Sequence, residues 1–87
     1  MQVTEIEQVI EKMERLCEDG SVPSNVKNMV DRAVETLQNH NQDLSVRVNT
    51  ATSLLDEVSN DPNIAQHTRT EVWRIASMLE SLEEGSN

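Results

Sequence analysis

An all-α fold is predicted by three observations. Apolar residues recur at three- and four-residue steps in four segments, no β-branched run alternates with polar residues, and short stretches rich in Gly, Pro, Asn and Asp separate the segments. Connections this short favour antiparallel neighbours. The expectation is a small four-helix bundle of two antiparallel helix hairpins, forming one domain over residues 1–87.

The first helix, near 4–18, lines up Ile6, Val9, Ile10, Met13, Leu16 and Cys17; Thr4 followed by Glu7 makes a capping box, and Gly20 is expected to stop it. The second, near 23–38, carries Val22, Val26, Met29, Val30, Ala33 and Leu37. Pro23 suits its first turn, where the missing N–H would have no helical partner, and Asn39, His40 and Asn41 end it. Asp43 is placed to cap a third helix, near 44–58, whose face is Leu44, Val48, Ala51, Leu55 and Val58. Ser59 to Asn63 is dense turn chemistry. The fourth helix, near 64–82, repeats the pattern with Ala65, Thr68, Val72, Ile75, Ala76, Leu79 and Leu82, then frays over residues 83–87.

The second hairpin echoes the first. Sliding the chain by 42 residues sets Ile6 on Val48, Met13 on Leu55, Leu16 on Val58, Asp19 on Asp61, Val22 on Ile64, Lys27 on Arg69, Val30 on Val72 and Leu37 on Leu79. That period falls within the roughly 40–47 residues of HEAT-type repeats. Any two amphipathic hairpins would also match in pattern, so a HEAT-like duplication and a coincidence of pattern both stay open.

Sixteen acids against seven Lys and Arg give a formal charge of −9, which disfavours phosphate backbones and anionic lipid. No apolar run approaches the roughly 20 residues that span a bilayer. The lone Cys17 has no disulfide partner within the chain, and the N-terminus shows no signal-peptide pattern, so a cytoplasmic address is expected.

The blocks "LLDEVSNDPN" and "HTRTEVW", with "VPSNVK" upstream and "DLSVRVNTA" between, resemble uncharacterised protein family 0147, a family of small archaeal proteins. The resemblance covers nearly the whole chain. It implies a helical fold and an archaeal cytoplasm, and it carries over no catalytic or binding residue. Two departures stand out: Ala65 follows Ile64 where a proline is expected, and basic residues near Ser24 are sparse, which counts against a nucleic-acid role.

Few residues invite chemistry. Glu7, Glu11, Glu14 and Glu18 share one helix face, but a straight helix spreads such carboxylates along its length instead of converging them on a cation. His40 and His67 lack the paired spacing of a zinc site, and Cys17 lies on the apolar stripe beside Glu14 and Glu18, the reverse of a thiolate-stabilising setting. Two distant glycines make no phosphate loop. No catalytic residue, metal ligand or cofactor is therefore expected, and an enzyme would need a buried polar cluster around His67 and Glu71.

Trp73 is the informative residue, because at roughly 100° per residue it points away from the stripe centred on Val72, Ala76 and Leu79. Val46 is likewise displaced from its own stripe. An indole with an apolar body and a donor is a frequent interface anchor. The expected function is a non-enzymatic module that binds another protein or self-associates as a homodimer, through Trp73, Val46, Arg74 and Arg69. The alternative is a small-ligand or nucleic-acid accessory protein using a polar patch near His67, Arg69 and Arg74, with Lys27 contributing to any phosphate contact.

Overall fold

The computed structural model describes residues 5–85, with side chains as far as Leu82. It contains α1 (Glu5–Glu18), α2 (Ser24–Gln38), α3 (Leu44–Ser59) and α4 (Gln66–Gly85), and no strand among the described residues. The capping box at Thr4 and the last two residues of the tail lie outside them. α4 differs from expectation at both ends. Ile64 is buried from within the preceding turn, while Ala65 is exposed and its carbonyl accepts the Arg69 N–H as the first helical bond. Ala65 therefore precedes the helix instead of lining its apolar face. At the other end Glu83 and Glu84 are good helix formers, and the backbone stays helical through Gly85.

The three connections are built alike. The Oδ1 atoms of Asp19, Asn39 and Asp61 accept the backbone N–H two residues on, from Ser21 at 2.9 Å, Asn41 at 3.1 Å and Asn63 at 2.8 Å. This side-chain turn turns the chain out of each helix without left-handed backbone. Gly20 accordingly has no positive φ and is not the helix stop; it sits inside the Asp19 turn with nothing within 4 Å of an added Cβ. Eight positions after each turn residue comes a base: Lys27, Arg47, Arg69. Arg47 donates to the carbonyls of Leu37 (3.0 Å) and Gln42 (3.1 Å), and Arg69 to those of Ser59 (2.9 Å) and Asp61 (3.1 Å). Each guanidinium thus occupies carbonyls at the end of the helix before its own, which would otherwise lack helical partners. Asp43 does occupy the N-cap of α3, but through its carbonyl, which takes the Arg47 N–H; its carboxylate makes no cap bond. Pro23 likewise stands at the N-cap of α2, just before the first turn.

Each helix packs on two others in a closed ring: α1 on α2 and α4, α3 on α2 and α4, with the diagonal pairs apart. The core is aliphatic throughout. The shift of 42 carries its buried positions onto one another: Val9 onto Ala51, Met13 onto Leu55, Val22 onto Ile64, Val30 onto Val72, Ala33 onto Ile75, Val34 onto Ala76 and Leu37 onto Leu79. A stacked array would bring equivalent helices together, α1 with α3 and α2 with α4. Here non-equivalent helices meet, as a two-fold rotation requires. The turns make the exchange explicit: Asp61 accepts from Asn25 at 3.0 Å, and Asp19 faces His67 at 3.8 Å, each aspartate reaching the residue six places after the other. The hairpins meet through α1 with α4 and α2 with α3, an arrangement distinct from HEAT-like stacking.

Two outcomes follow for stability. Gly20→Ala should leave the protein unchanged or stabilise it by about 0.4–1 kcal/mol, since the backbone accepts the side chain and the unfolded chain loses freedom. Arg47→Ala and Arg69→Ala should each lose about 1.5–3 kcal/mol in urea unfolding, with little recovery by lysine, which cannot reach two carbonyls with a planar fork.

Candidate functional site

Among the described residues two large hydrophobic side chains are exposed, Trp73 at 53% and Val46 at 44%. Trp73 follows the fully buried Val72 by one residue, which turns it outward from the core, and it lines an open slot of about 500 Å³ along α4 with Thr70, Arg74, Ser77 and Met78. Arg74 stands largely in solvent, its Nη1 3.7 Å from a Glu71 carboxylate oxygen. Of the four residues expected to meet a partner, the structure brings Trp73 and Arg74 into one slot. Val46, on the outer side of α3, is not among the residues lining it.

The Arg69 guanidinium is held by the carbonyls of Ser59 and Asp61 and by the Gln66 side chain (3.4 Å), so it closes the α3–α4 turn and stands apart from the Trp73 slot. The fixed distance from Asp61, matched by Asn39 to Arg47, was the signal in the sequence that could have assigned it this role. The polar patch of His67, Arg69 and Arg74 is consequently dispersed: His67 faces α1, Arg69 the turn, Arg74 the slot. Lys27, the other base named for phosphate contact, is half-buried behind α1 near Cys17.

A second depression, of about 300 Å³, opens between α1 and α4, lined by Lys12, Arg15, Leu16, Asp19, His67, Thr68 and Glu71. It contains both His67 and Glu71, whose side chains are 71% and 39% exposed. The Ser21 N–H and hydroxyl (2.8 Å) hold the Asp19 carboxyl below its ordinary value of 3.8, with a smaller contribution from His67. A depressed carboxyl supports the fold above its unfolded value, and that support is lost as pH falls through the lower folded value. Lys12 and Arg15, which the sequence analysis gives no part in any site, line this depression from α1. The acidic row is solvent-facing: Glu11 pairs with Arg15 at 2.8 Å, and no group of three or more His, Cys, Asp or Glu converges on a point among the described residues.

Cys17 is half-buried between α1 and α2, its thiol donating to Asp31 Oδ1 at 3.3 Å. Burial and then the Asp31 carboxylate push its pKa up to about 11, against a smaller opposing effect of Lys27. Among the described residues no helix is long and apolar enough to cross a membrane.

The sequence pattern of the Uncharacterised protein family (UPF0147) matches residues 2–82. A UPF0147 protein of Methanothermobacter thermautotrophicus is 47% identical over 76 residues, covering 87% of this chain and 74% of that protein. One of Pyrococcus furiosus is 37% identical over 78 residues, covering 88% and 84%. The crystal structure of a protein from the same family of Thermoplasma acidophilum superimposes with a TM-score of 0.85 at 36% identity, covering 90% of this chain and 92% of that one. A crystal structure of a protein of unknown function gives the same TM-score at 37% identity, covering 93% and 96%.

The thiol environment makes a direct prediction. At neutral pH Cys17 should alkylate far more slowly than an ordinary thiol, and Asp31→Asn should accelerate it and lower the midpoint of the pH–rate profile, because the thiolate no longer forms beside a carboxylate.

Proposed function

The chain belongs to uncharacterised protein family UPF0147, an all-helical archaeal family, and we propose for it the role of a protein-binding module that works through the outer face of α4. The exposed indole of Trp73 carries this reading. Burial of its large apolar surface is worth more in a partner than in solvent, and its N–H still offers a donor. The slot beside it supplies an adaptable thioether in Met78, a charge in Arg74, and the small side chains of Thr70 and Ser77. Trp and Arg are the residue types that dominate binding energy at protein interfaces.

The reading is of a binding protein and not of an enzyme. The charged side chains lie in open depressions, where water screens them and proton transfer gains little from preorganisation. Self-association about a two-fold axis is the simplest form, with a different protein as the other occupant. A cytoplasmic setting belongs to the same reading, since a lone half-buried thiol suits a reducing compartment.

Trp73→Ser should melt within about 0.5 kcal/mol of the parent, as an exposed substitution does. It should nonetheless abolish capture of a reproducible partner from archaeal cell extract, or the dimer seen by sedimentation, while Gly20→Ala preserves both. Identical captured proteins with and without Trp73, together with a monomer at all concentrations, would overturn the reading.

A further inference from the structure

We infer that the outer face of α4 receives a basic, amphipathic helix of a partner protein. The inference rests on the protein-binding reading above and names the chemistry of the partner. Two depressions meet on this face. The Trp73 slot is continued past Met78 by a second, of about 240 Å³, which Ser81 and Leu82 line together with Glu5, Gln8 and Val9 from α1. Met78 lines both, so they form one groove from Thr70 to Leu82, roughly 18 Å or about three helical turns long.

The relief of this groove is that of a helix seat. Its α4 residues fall on two neighbouring rows at four-residue steps, Thr70, Arg74, Met78 and Leu82 on one, Trp73, Ser77 and Ser81 on the other. Rows of that spacing are the ridges and grooves through which helices pack. The second row drops from an indole to two exposed serines, so a partner's ridge has room over Ser77 and Ser81 with Trp73 closing one end. Met78 and Leu82, themselves packed against the core, offer it an apolar floor. An extended strand finds no backbone partner here, because α4 spends its N–H and C=O groups internally; side chains alone must hold the partner, and a helix presents them at the matching spacing.

Charge selects the kind of helix. Arg74 is the only base among the groove residues, and Glu71 at 3.7 Å offsets it within the chain. Exposed Glu5 and Glu80 leave the rim acidic, on a chain of net charge −9. A second copy would bring the same charge and the same acids to the contact, whereas a basic helix is attracted to it. Trp73, Met78 and Leu82 in turn require that one face of that helix be apolar.

Trp73 is the only tryptophan and no Tyr or Phe accompanies it, so its emission reports on the groove directly. The probe is a peptide of about 14 residues, Leu and Lys arranged at helical spacing, with a scrambled peptide of the same composition and a Leu-Glu helix as controls. The Leu-Lys helix is expected to move the emission to the blue saturably, with an affinity that falls as chloride is raised, and neither control to do so. Ser77→Gln with Ser81→Gln, exposed neutral changes to a good helix former that fill the low row, should weaken binding at least about tenfold at an unchanged melting temperature. Glu5→Gln with Glu80→Gln should weaken it as well and flatten its salt dependence. A blue shift with rising protein concentration alone would make a second copy the occupant and overturn the inference. Equal binding of either control, or no saturation with the Leu-Lys helix up to roughly 1 mM, would do the same. Loss of a captured partner on Trp73→Ser, combined with no response to the Leu-Lys helix, would overturn this inference alone and leave the protein-binding reading in place.

Discussion

Each helix of this chain has one apolar face and no aromatic residue to thicken it, so a hairpin alone leaves its stripe in water. Closure of the two hairpins on each other is the constraint on which the rest of the structure depends. Among ways of pairing two similar hairpins, rotation by a half-turn lets each buried position face the other repeat's stripe, and Val30 with Val72 and Leu37 with Leu79 become equivalent buried places. It also brings the α1–α2 and α3–α4 turns to the same end of the bundle. Their reciprocal contacts, Asp61 with Asn25 and Asp19 with His67, are the polar signature of that rotation.

The surface is a consequence of the core. A stripe built of Val, Leu, Ile, Ala and Met fills a narrow four-helix ring, and an indole has no place in it; Trp73 is therefore on the outside by geometry before it is there for any function. Exposure of a Trp in so acidic and polar a chain is costly to solubility, and its retention beside Arg74 and Met78 is what gives the outer face of α4 its character. The bases are distributed by the same logic. Arg47 and Arg69 are drawn toward helix-end carbonyls and left half-buried, which ties their charge to the turns instead of the open surface.

Much of the fold was legible because helical periodicity is local: the four stripes, their order and the short connections follow from residue spacing. Helix ends were less so. Gly20 has the right identity for a left-handed stop, yet the carboxylate of Asp19 supplies a competing turn that needs no unusual backbone, and nothing in the one-dimensional order ranks the two. Ala65 fits the period of α4 but is preempted by the Asp61 turn, which holds the chain out of the helix until Gln66. Of the candidate interface, Trp73 was legible from its angle on the wheel, whereas Arg69 was not, because its role is set by carbonyls that only the turn brings near. Lys12 and Arg15 escaped notice for the opposite reason: they are ordinary surface residues in α1, and become part of a cleft only when α4 arrives beside them.

The correspondence between the hairpins makes one half of the molecule a control for the other. The α1/α4 and α2/α3 seams are built from equivalent positions, and both leave an open depression, one lined by Lys12, Thr68 and Glu71 and the other by Arg32, Glu35 and Leu54. They differ in how far the helices meet. Leu54 and Met29 pack against the core, whereas Lys12 and Glu71, which take the same places, keep their charged ends in water. The α2/α3 interface is accordingly the more extensive, and the burial that closes the ring comes more from that seam than from its counterpart.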